Sequence, residues 1–430
     1  MDRLFWQGSA LMCAGFVLAW CLRTIGNVWF WLVTLVPRLV LLAMHPGDDI
    51  WRYLWEGHIQ NLGFNPYLIA PDAVELLPFR FDWWWQMNHP HLPAIYPPVT
   101  QLGFRLLAAM ATPFLGKIAP SVLLFKSAFV AADLSICWLL SRRFGHLNTL
   151  LYAWNPLVIY SFAGGGHYDS WFLLPLVAAW LGSSNPASSN PASSNPVSSN
   201  PASSAAYSAR LSSAWGIGLS IATKWMSLPV LAFLAWQQWR IECVKRPIRA
   251  VWWALAIILV GCLPIAIASL PFCQGPFFQG SSCPIVPADS PFVNYGRSAA
   301  LLPQFVQQLW PGGQSANWIY ALPLGAIVLW NLLRSAKVGQ FTERYLIALM
   351  LLSPIIHAWY FTWLVPFSVA SRNWGTRWVS LSAFIYFALP HGLALGKESW
   401  ILTPQQHFVL WFPFVLGLLI SRRITHREMF

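Results

Sequence analysis

The sequence predicts an all-α polytopic membrane protein, and composition, block length and the placement of basic residues each point there. Of the 430 residues, 57% are hydrophobic and only 9% are charged, whereas a soluble domain carries about 25% charged residues. The apolar residues run in blocks of membrane-spanning length, roughly 8–22, 28–44, 121–141, 149–164, 168–182, 207–222, 226–238, 250–270, 317–333, 344–371, 376–394 and 407–420. Block 344–371 is long enough for two half-spans meeting at a polar break. The blocks give about 11–13 transmembrane helices. The run Met1 to Cys21 has a charged start and no clear cleavage site, and reads as a retained span.

The formal net charge is +12. On a soluble protein that would raise the question of nucleic acid. Here Lys and Arg gather in short loops between apolar blocks, as orientation signals do, and nucleic-acid binding is set aside. Arg142–Arg143, Arg240 to Arg249, Arg334 to Arg344, Arg372 to Arg377 and the tail residues Arg422, Arg423 and Arg427 are the basic segments. All five fit on the inside if 100–116 lies along the outer surface and if 207–238 and 344–371 each go out and return. The polar stretches 45–120, 271–316 and 391–406 then fall outside, on an inner-membrane protein whose working face is extracytoplasmic. Cys273 and Cys283 share the second of these (271–316), where an oxidising compartment would allow a disulfide.

Residues 183–204 repeat the pentad Ser-Ser-Asn-Pro-Ala, with Val197 in the third copy. Frequent Pro and small polar residues leave nothing to pack. The stretch 183–206 reads as a low-complexity cytoplasmic linker within a single membrane domain spanning 1–430.

The first outer loop carries six of the fourteen acidic residues, between Asp48 and Asp82. Its length suits function and its aromatic content argues against disorder. Asp48-Asp49 could supply a general base for an attacking hydroxyl, hold a divalent cation such as Mg²⁺ or Mn²⁺, or serve as a helix cap. No full metal-ligand set is visible, and no cofactor is called for. Arg52 could bind a phosphate with its forked donors or pair with a nearby carboxylate. Gly164-Gly165-Gly166 allows close backbone approach ahead of His167 and Asp169, or simply stops a helix. Lys224 interrupts an apolar stretch and needs an anion, a carboxylate partner or a path to the surface. Lys126 and Asp133 lie two turns apart in one span and read as structural. His357 could orient a substrate or hydrogen-bond at the interface, while Trp359 and Tyr360 fit an aromatic belt.

The run Asp48-Asp49-Ile50-Trp51-Arg52-Tyr53-Leu54-Trp55-Glu56-Gly57 continues into Gly63-Phe64-Asn65-Pro66-Tyr67, Asn88-His89-Pro90 and Ile95-Tyr96-Pro97-Pro98. It resembles the first extracytoplasmic loop of bacterial GT-C membrane glycosyltransferases, above all the polyprenyl-phosphate-mannose-dependent alpha-mannosyltransferases. Trp154-Asn155-Pro156-Leu157, Gly164 to Asp169, and Ser353-Pro354 with His357-Ala358-Trp359-Tyr360 extend the resemblance over roughly residues 28–370. Glu56 stands where relatives often carry Asp, and His357-Ala358 where many have His-Pro.

The resemblance implies a GT-C-like helical bundle with a long first extracytoplasmic loop. It implies an inverting hexosyltransferase that takes a sugar from polyprenyl phosphate, mannose first, to a glycan or lipid-linked acceptor. Asp49 is then the catalytic base by motif alignment, with Asp48 second. Arg52, Lys224 and His167 become candidates to hold the phosphate. Tyr53, Asn88, His89, Tyr96, Asp169, His357 and Tyr360 complete the expected substrate contacts. A lipid or sugar transporter or flippase is the alternative, and would need mid-membrane charges and repeated spans. A non-catalytic scaffold would leave the clustered Asp, His and Lys unexplained.

Overall fold

The computed structural model describes residues 2–183, 201–273, 283–286, 294–314, 317–389 and 401–427, and among them there is no strand. The helices are α1 (Asp2–Ala19), α2 (Asn27–Leu42), α3 (Asp49–Asn61), α4 (Pro98–Ala111), α5 (Ile118–Ala153), α6 (Pro156–Ile159), α7 (Ser170–Ser183), α8 (Pro201–Thr223), α9 (Leu228–Glu242) and α10 (Pro247–Ser269). They continue as α11 (Leu302–Leu309), α12 (Trp318–Arg334), α13 (Val338–Leu352), α14 (Val365–Ser371), α15 (Trp374–Ser382) and α16 (Pro404–Arg427).

By length and composition, two runs among the described residues could each cross a membrane: α5, and α10 with the turn that extends it to Phe272. Shorter apolar helices are Arg3–Ala19, Asn27–Leu42, Ser170–Ser183 and Trp318–Arg334. Along α10, Val251, Trp252, Leu255, Ile258, Leu259, Leu263 and Ile267 are all exposed. A continuous apolar flank of this kind is stable against hydrocarbon and not against water, so the chain is membrane-associated.

Where the apolar blocks break, the cause is local. Gly145 adopts φ 75° within α5, just past Arg142 and Arg143, and turns the chain there. Asn155 then caps α6, its side chain accepting from the backbone of Leu157 and Val158, with Pro156 in the first turn. The motif Trp154-Asn155-Pro156-Leu157 is therefore a helix start. Tyr96-Pro97-Pro98 is another, since α4 begins at Pro98. Lys224 leaves the helical region between α8 and α9, and residues 353–357 separate α13 from the turn Ala358–Trp363. Both breaks lie where the sequence pattern asked the chain to reverse. Most of the pentad repeat lies outside the described residues, and the described part of α8, from Pro201 on, already overlaps the stretch read as linker.

The basic segments meet at one end of the bundle. Arg372 donates to Asn148, Arg240 to the Leu333 carbonyl, and Gln237 to the Ala336 carbonyl. Glu343 accepts from Ser371 and Asn373, and the Trp374 amide donates to Ser421. The first long loop instead folds on itself around α3, whose Trp51, Tyr53, Leu54 and Trp55 pack with Trp83, Phe104, Phe125, Phe129 and Tyr168. Asn65 donates to the carbonyl of Phe272, beside the Cys273–Cys283 disulfide. The disulfide itself and the first loop thus share a side.

Two buried cations fasten α2 to α5. Arg38 donates from Nε to Asp133 at 2.5 Å and from Nη1 to the carbonyls of Thr34 and Ala153, both at 2.8 Å. Lys126 Nζ donates to the carbonyls of Leu41, Leu42 and Met44 at 2.9, 3.0 and 2.8 Å. The structural role read for Lys126 and Asp133 is what these bonds describe, although the two do not pair with each other. Removing one member of a fully buried ion pair leaves the other uncompensated. Asp133→Ala is therefore expected to destabilise the protein by about 3–5 kcal/mol. Arg38→Met combined with Asp133→Leu is expected to recover most of that loss. Thermal unfolding of the purified protein in detergent measures both.

Candidate functional site

The site starts where α2 ends. Lys126 takes the last carbonyls of α2, and the chain turns through Gly47, whose amide donates to Gly165 at 2.8 Å. Asp48 and Asp49 follow at the start of α3. Asp48 occupies the N-cap position but makes no capping hydrogen bond, so the helix-cap reading fails there. Asp49 sits in the first turn, where the helix dipole favours an anion. Asn88 bridges the pair, donating to Asp49 Oδ1 at 2.8 Å and to Asp48 Oδ2 at 3.3 Å. The Tyr53 hydroxyl, one turn along α3, donates to Asp49 Oδ2 at 3.4 Å.

Gly166 delivers the opposite wall. Its φ is +75°, and a Cβ there would press on Ile50 and Lys126. Glycine thus lets this strand of backbone lie against the start of α3. His167 follows, buried, with Nδ1 3.3 Å from Asp49 Oδ2 as an ion-pair contact whose geometry falls short of a hydrogen bond. Its ring stacks on Trp359 at 3.7 Å, and Trp359 stacks on its other neighbour, His357, at 4.6 Å. Trp359 is 8% exposed. It is no belt residue but the shared partner of two imidazoles. His357 Nδ1 and the Tyr386 hydroxyl lie 2.6 Å apart.

Asp169 and Lys224 form the second half of the site. Lys224 Nζ donates to Asp169 Oδ1 at 2.5 Å, and Trp363 Nε1 donates to the same oxygen at 2.6 Å. The ammonium lies 4.6 Å from the Trp363 ring, 4.9 Å from Tyr360, 5.1 Å from Tyr168 and 5.7 Å from Phe172. Of the three fates open to Lys224 in the sequence, the carboxylate partner is the one realised, and its side chain stays 14% exposed.

Arg52 and His89, two of the expected substrate contacts, meet in a clasp built on α3. Arg52 is 3% exposed, and its Nε donates to Glu56 at 2.6 Å. Nη1 donates to the His89 carbonyl, and Nη2 to those of Leu92 and Pro93, at 3.1, 2.6 and 2.7 Å. Four of its five N–H groups are engaged by Glu56 and the 88–93 loop. His89 enters the same clasp through its backbone, in the left-handed region at φ 44°. Tyr96 packs edge-on against Tyr53 and Tyr168 at 5.5 and 5.3 Å.

The two adjacent carboxyls have opposite electrostatics. Asp48 is open to solvent on one side yet set among dense protein, and desolvation followed by the Asp49 charge pushes it up to about 6. Burial also pushes Asp49 up, but His167, His357 and Asn88 outweigh it and hold Asp49 below the usual carboxylate range. Burial and then the Asp49 charge keep the Tyr53 and Tyr96 phenols well above their ordinary range, so both remain donors. Among the described residues, no group of three or more His, Cys, Asp or Glu is gathered as a metal-binding set.

The structure therefore brings Asp48, Asp49, Tyr53, Asn88, His167, Asp169, Lys224, His357 and Tyr360 into one cluster drawn from five parts of the chain. Sequence reasoning missed Trp363 and Lys126 as parts of it. Trp363 lies one helical turn beyond Tyr360, and that spacing was the available signal. Lys126 acts only through backbone carbonyls, which leave no trace in side-chain motifs.

No family model matches the chain, and no curated protein matches it. Among solved structures, the chain is similar to the oligosaccharyltransferase of Archaeoglobus fulgidus in its apo form, at 11% identity and a TM-score of 0.39. The match covers 92% of this chain, which spans 56% of the length of that protein.

The raised Asp48 carboxyl binds its proton more tightly in the folded protein than in the unfolded chain. Its contribution to stability is complete below the ordinary carboxyl range and is lost as pH rises through about 6. Asp48→Asn is expected to flatten this segment of the stability profile, as read by the unfolding midpoint across that window. An unchanged slope in Asp48→Asn would show that the carboxyl titrates elsewhere.

Proposed function

We propose that this chain is an inverting glycosyltransferase of GT-C type, a multi-pass inner-membrane protein with its site at the extracytoplasmic face. It moves a hexose, mannose first, from polyprenyl phosphate to a glycan or lipid-linked acceptor. The observation that carries this reading is the juxtaposition of Asp49 with His167 and of Asp169 with Lys224, at the first loop and away from the basic end of the bundle. The first-loop pattern from Asp48 to Pro98 supports it, and so does the Cys273–Cys283 disulfide, which suits an oxidising compartment.

In this reading Asp49 is the base. It stays ionised, and it faces His167 and His357 while Asp48 turns outward. The acceptor hydroxyl gives its proton to Asp49 as its oxygen bonds to the anomeric carbon. The bond from that carbon to the phosphate oxygen breaks on the opposite face, and its electron pair leaves with polyprenyl phosphate. Configuration inverts. Lys224, with N–H groups beyond the one given to Asp169, meets the charge growing on the leaving phosphate, and His167 and His357 line the path between the two. Arg52 and His89 serve by holding Asn88 against the carboxylates.

Transport gains no support from the charged residues inside the bundle. Arg38, Asp133 and Lys126 are all engaged by one another's helices and carry no open position for a passing solute.

Transfer of radiolabelled mannose from polyprenyl-phosphate-mannose, in membranes with matched expression, tests the proposal. Asp49→Asn is expected to lower the rate by about 10²–10⁴-fold, whereas Asp48→Asn retains most of it. Equal transfer by the native chain and Asp49→Asn would remove Asp49 as the base. Failure of the native chain with mannose, glucose and arabinose donors alike would overturn the glycosyltransferase reading.

A further inference from the structure

Asp169 is unevenly used. It is 1% exposed. Oδ1 accepts from both Lys224 and Trp363, at 2.5 and 2.6 Å, while Oδ2 is buried with no donor on it among the described residues. A buried acceptor without a partner is unfavourable. A carboxylate whose orientation is fixed by two donors on one oxygen, with the other left open, is a recognition element waiting for a hydroxyl or amide N–H. Its neighbours define which. Tyr360, partly exposed, stacks on the buried Trp363 at 4.3 Å beside the ammonium, and is an aromatic ring of the kind that packs on sugar C–H groups.

We propose that Asp169 Oδ2 reads the hydroxyl on the donor sugar's carbon next to the anomeric centre. The inference rests on the glycosyltransferase reading above and deepens it. Lys224 contacts the leaving phosphate, and Oδ2 belongs to the same carboxyl group that Lys224 touches. The sugar hydroxyl within reach of Oδ2 is then the one nearest the phosphate, on C2. Hydroxyls on C4 or C6 point away from that linkage. Asp169 is thus a specificity-determining residue: it selects a hexose with a free C2 hydroxyl against a 2-deoxy or 2-N-acetylated sugar. An N-acetyl group on that carbon would set its carbonyl and methyl, in place of a hydroxyl donor, against a 1%-exposed carboxyl.

The test compares kcat/KM for polyprenyl-phosphate donors of mannose, 2-deoxymannose and 6-deoxymannose, in the native chain and in Asp169→Asn. Asparagine keeps one oxygen for Lys224 and Trp363 and replaces the open acceptor by a donor. The native chain is expected to prefer mannose over the 2-deoxy donor by about 10- to 100-fold. In Asp169→Asn that ratio is expected to fall close to one, chiefly through loss of mannose use, with the ratio of mannose to the 6-deoxy donor unchanged. If Asp169→Asn does not fold, judged by its thermal midpoint, the native preference alone decides. A native chain that uses mannose and 2-deoxymannose equally, or an Asp169→Asn that keeps the native preference, overturns this inference while leaving the glycosyltransferase reading intact. A native chain that transfers from none of these donors nor from polyprenyl-phosphate-glucose removes both.

Discussion

The interaction on which the site depends is the set of three hydrogen bonds from Lys126 Nζ to the carbonyls that end α2. Helix ends leave carbonyls without partners, and inside a bilayer-facing bundle water cannot serve them. Lys126 meets that need with all three of its N–H groups and stops α2 at a fixed residue. Asp48 and Asp49 follow within a few residues of that stop. The stem of the same lysine lies against Gly166, one residue before His167. One side chain thereby sets the register of both partners in the Asp49–His167 contact. The bond from the Gly47 amide to the Gly165 carbonyl repeats the tie at the backbone level.

Around that anchor the buried charges are spent in pairs, and the pairing sorts scaffold from chemistry. Arg38 pairs with Asp133 and Arg52 with Glu56, and each guanidinium also holds backbone carbonyls, so both serve the scaffold. Asp49 and Asp169 are different. Each is held on one side by the fold and keeps capacity on the other, through partial exposure for Asp49 and an unpartnered oxygen for Asp169. Buried polar groups that are left incompletely satisfied mark places where the fold gives up stability for something else.

Much of this arrangement was legible in the sequence because the bilayer makes polar residues conspicuous. Asp48-Asp49, His167, Asp169, Lys224 and His357 each interrupt or border an apolar block, Asn88 lies in the long first loop, and the five basic segments gave the direction that brings them together. What the sequence hid was how donors are divided. Arg52 reads as a phosphate ligand or as a carboxylate partner, and its bonds to the carbonyls of His89, Leu92 and Pro93 left no trace in the sequence. Trp359 has the composition of a belt residue and the environment of a core one, because two imidazoles from distant segments close on its faces. The helix over residues 201–206 was hidden for the opposite reason: the low-complexity sequence runs on into it.

The adjacency of Asp48 and Asp49 carries the last step. Two neighbouring carboxyls would ordinarily compete, each raising the other. Here the fold resolves the competition by giving His167, Asn88 and Tyr53 to Asp49 and only the weaker Asn88 contact to Asp48. The burden of repulsion falls on Asp48, which rises to about 6, while Asp49 remains charged among its donors. Environments that push two like groups apart assign them different work. The charged member faces the cationic half of the site, where a hydroxyl between it and Lys224 would meet a proton acceptor on one side and a charge for the departing group on the other. The outer member, pushed up to about 6 by burial and by the Asp49 charge, is the one that gives up its charge first as pH falls.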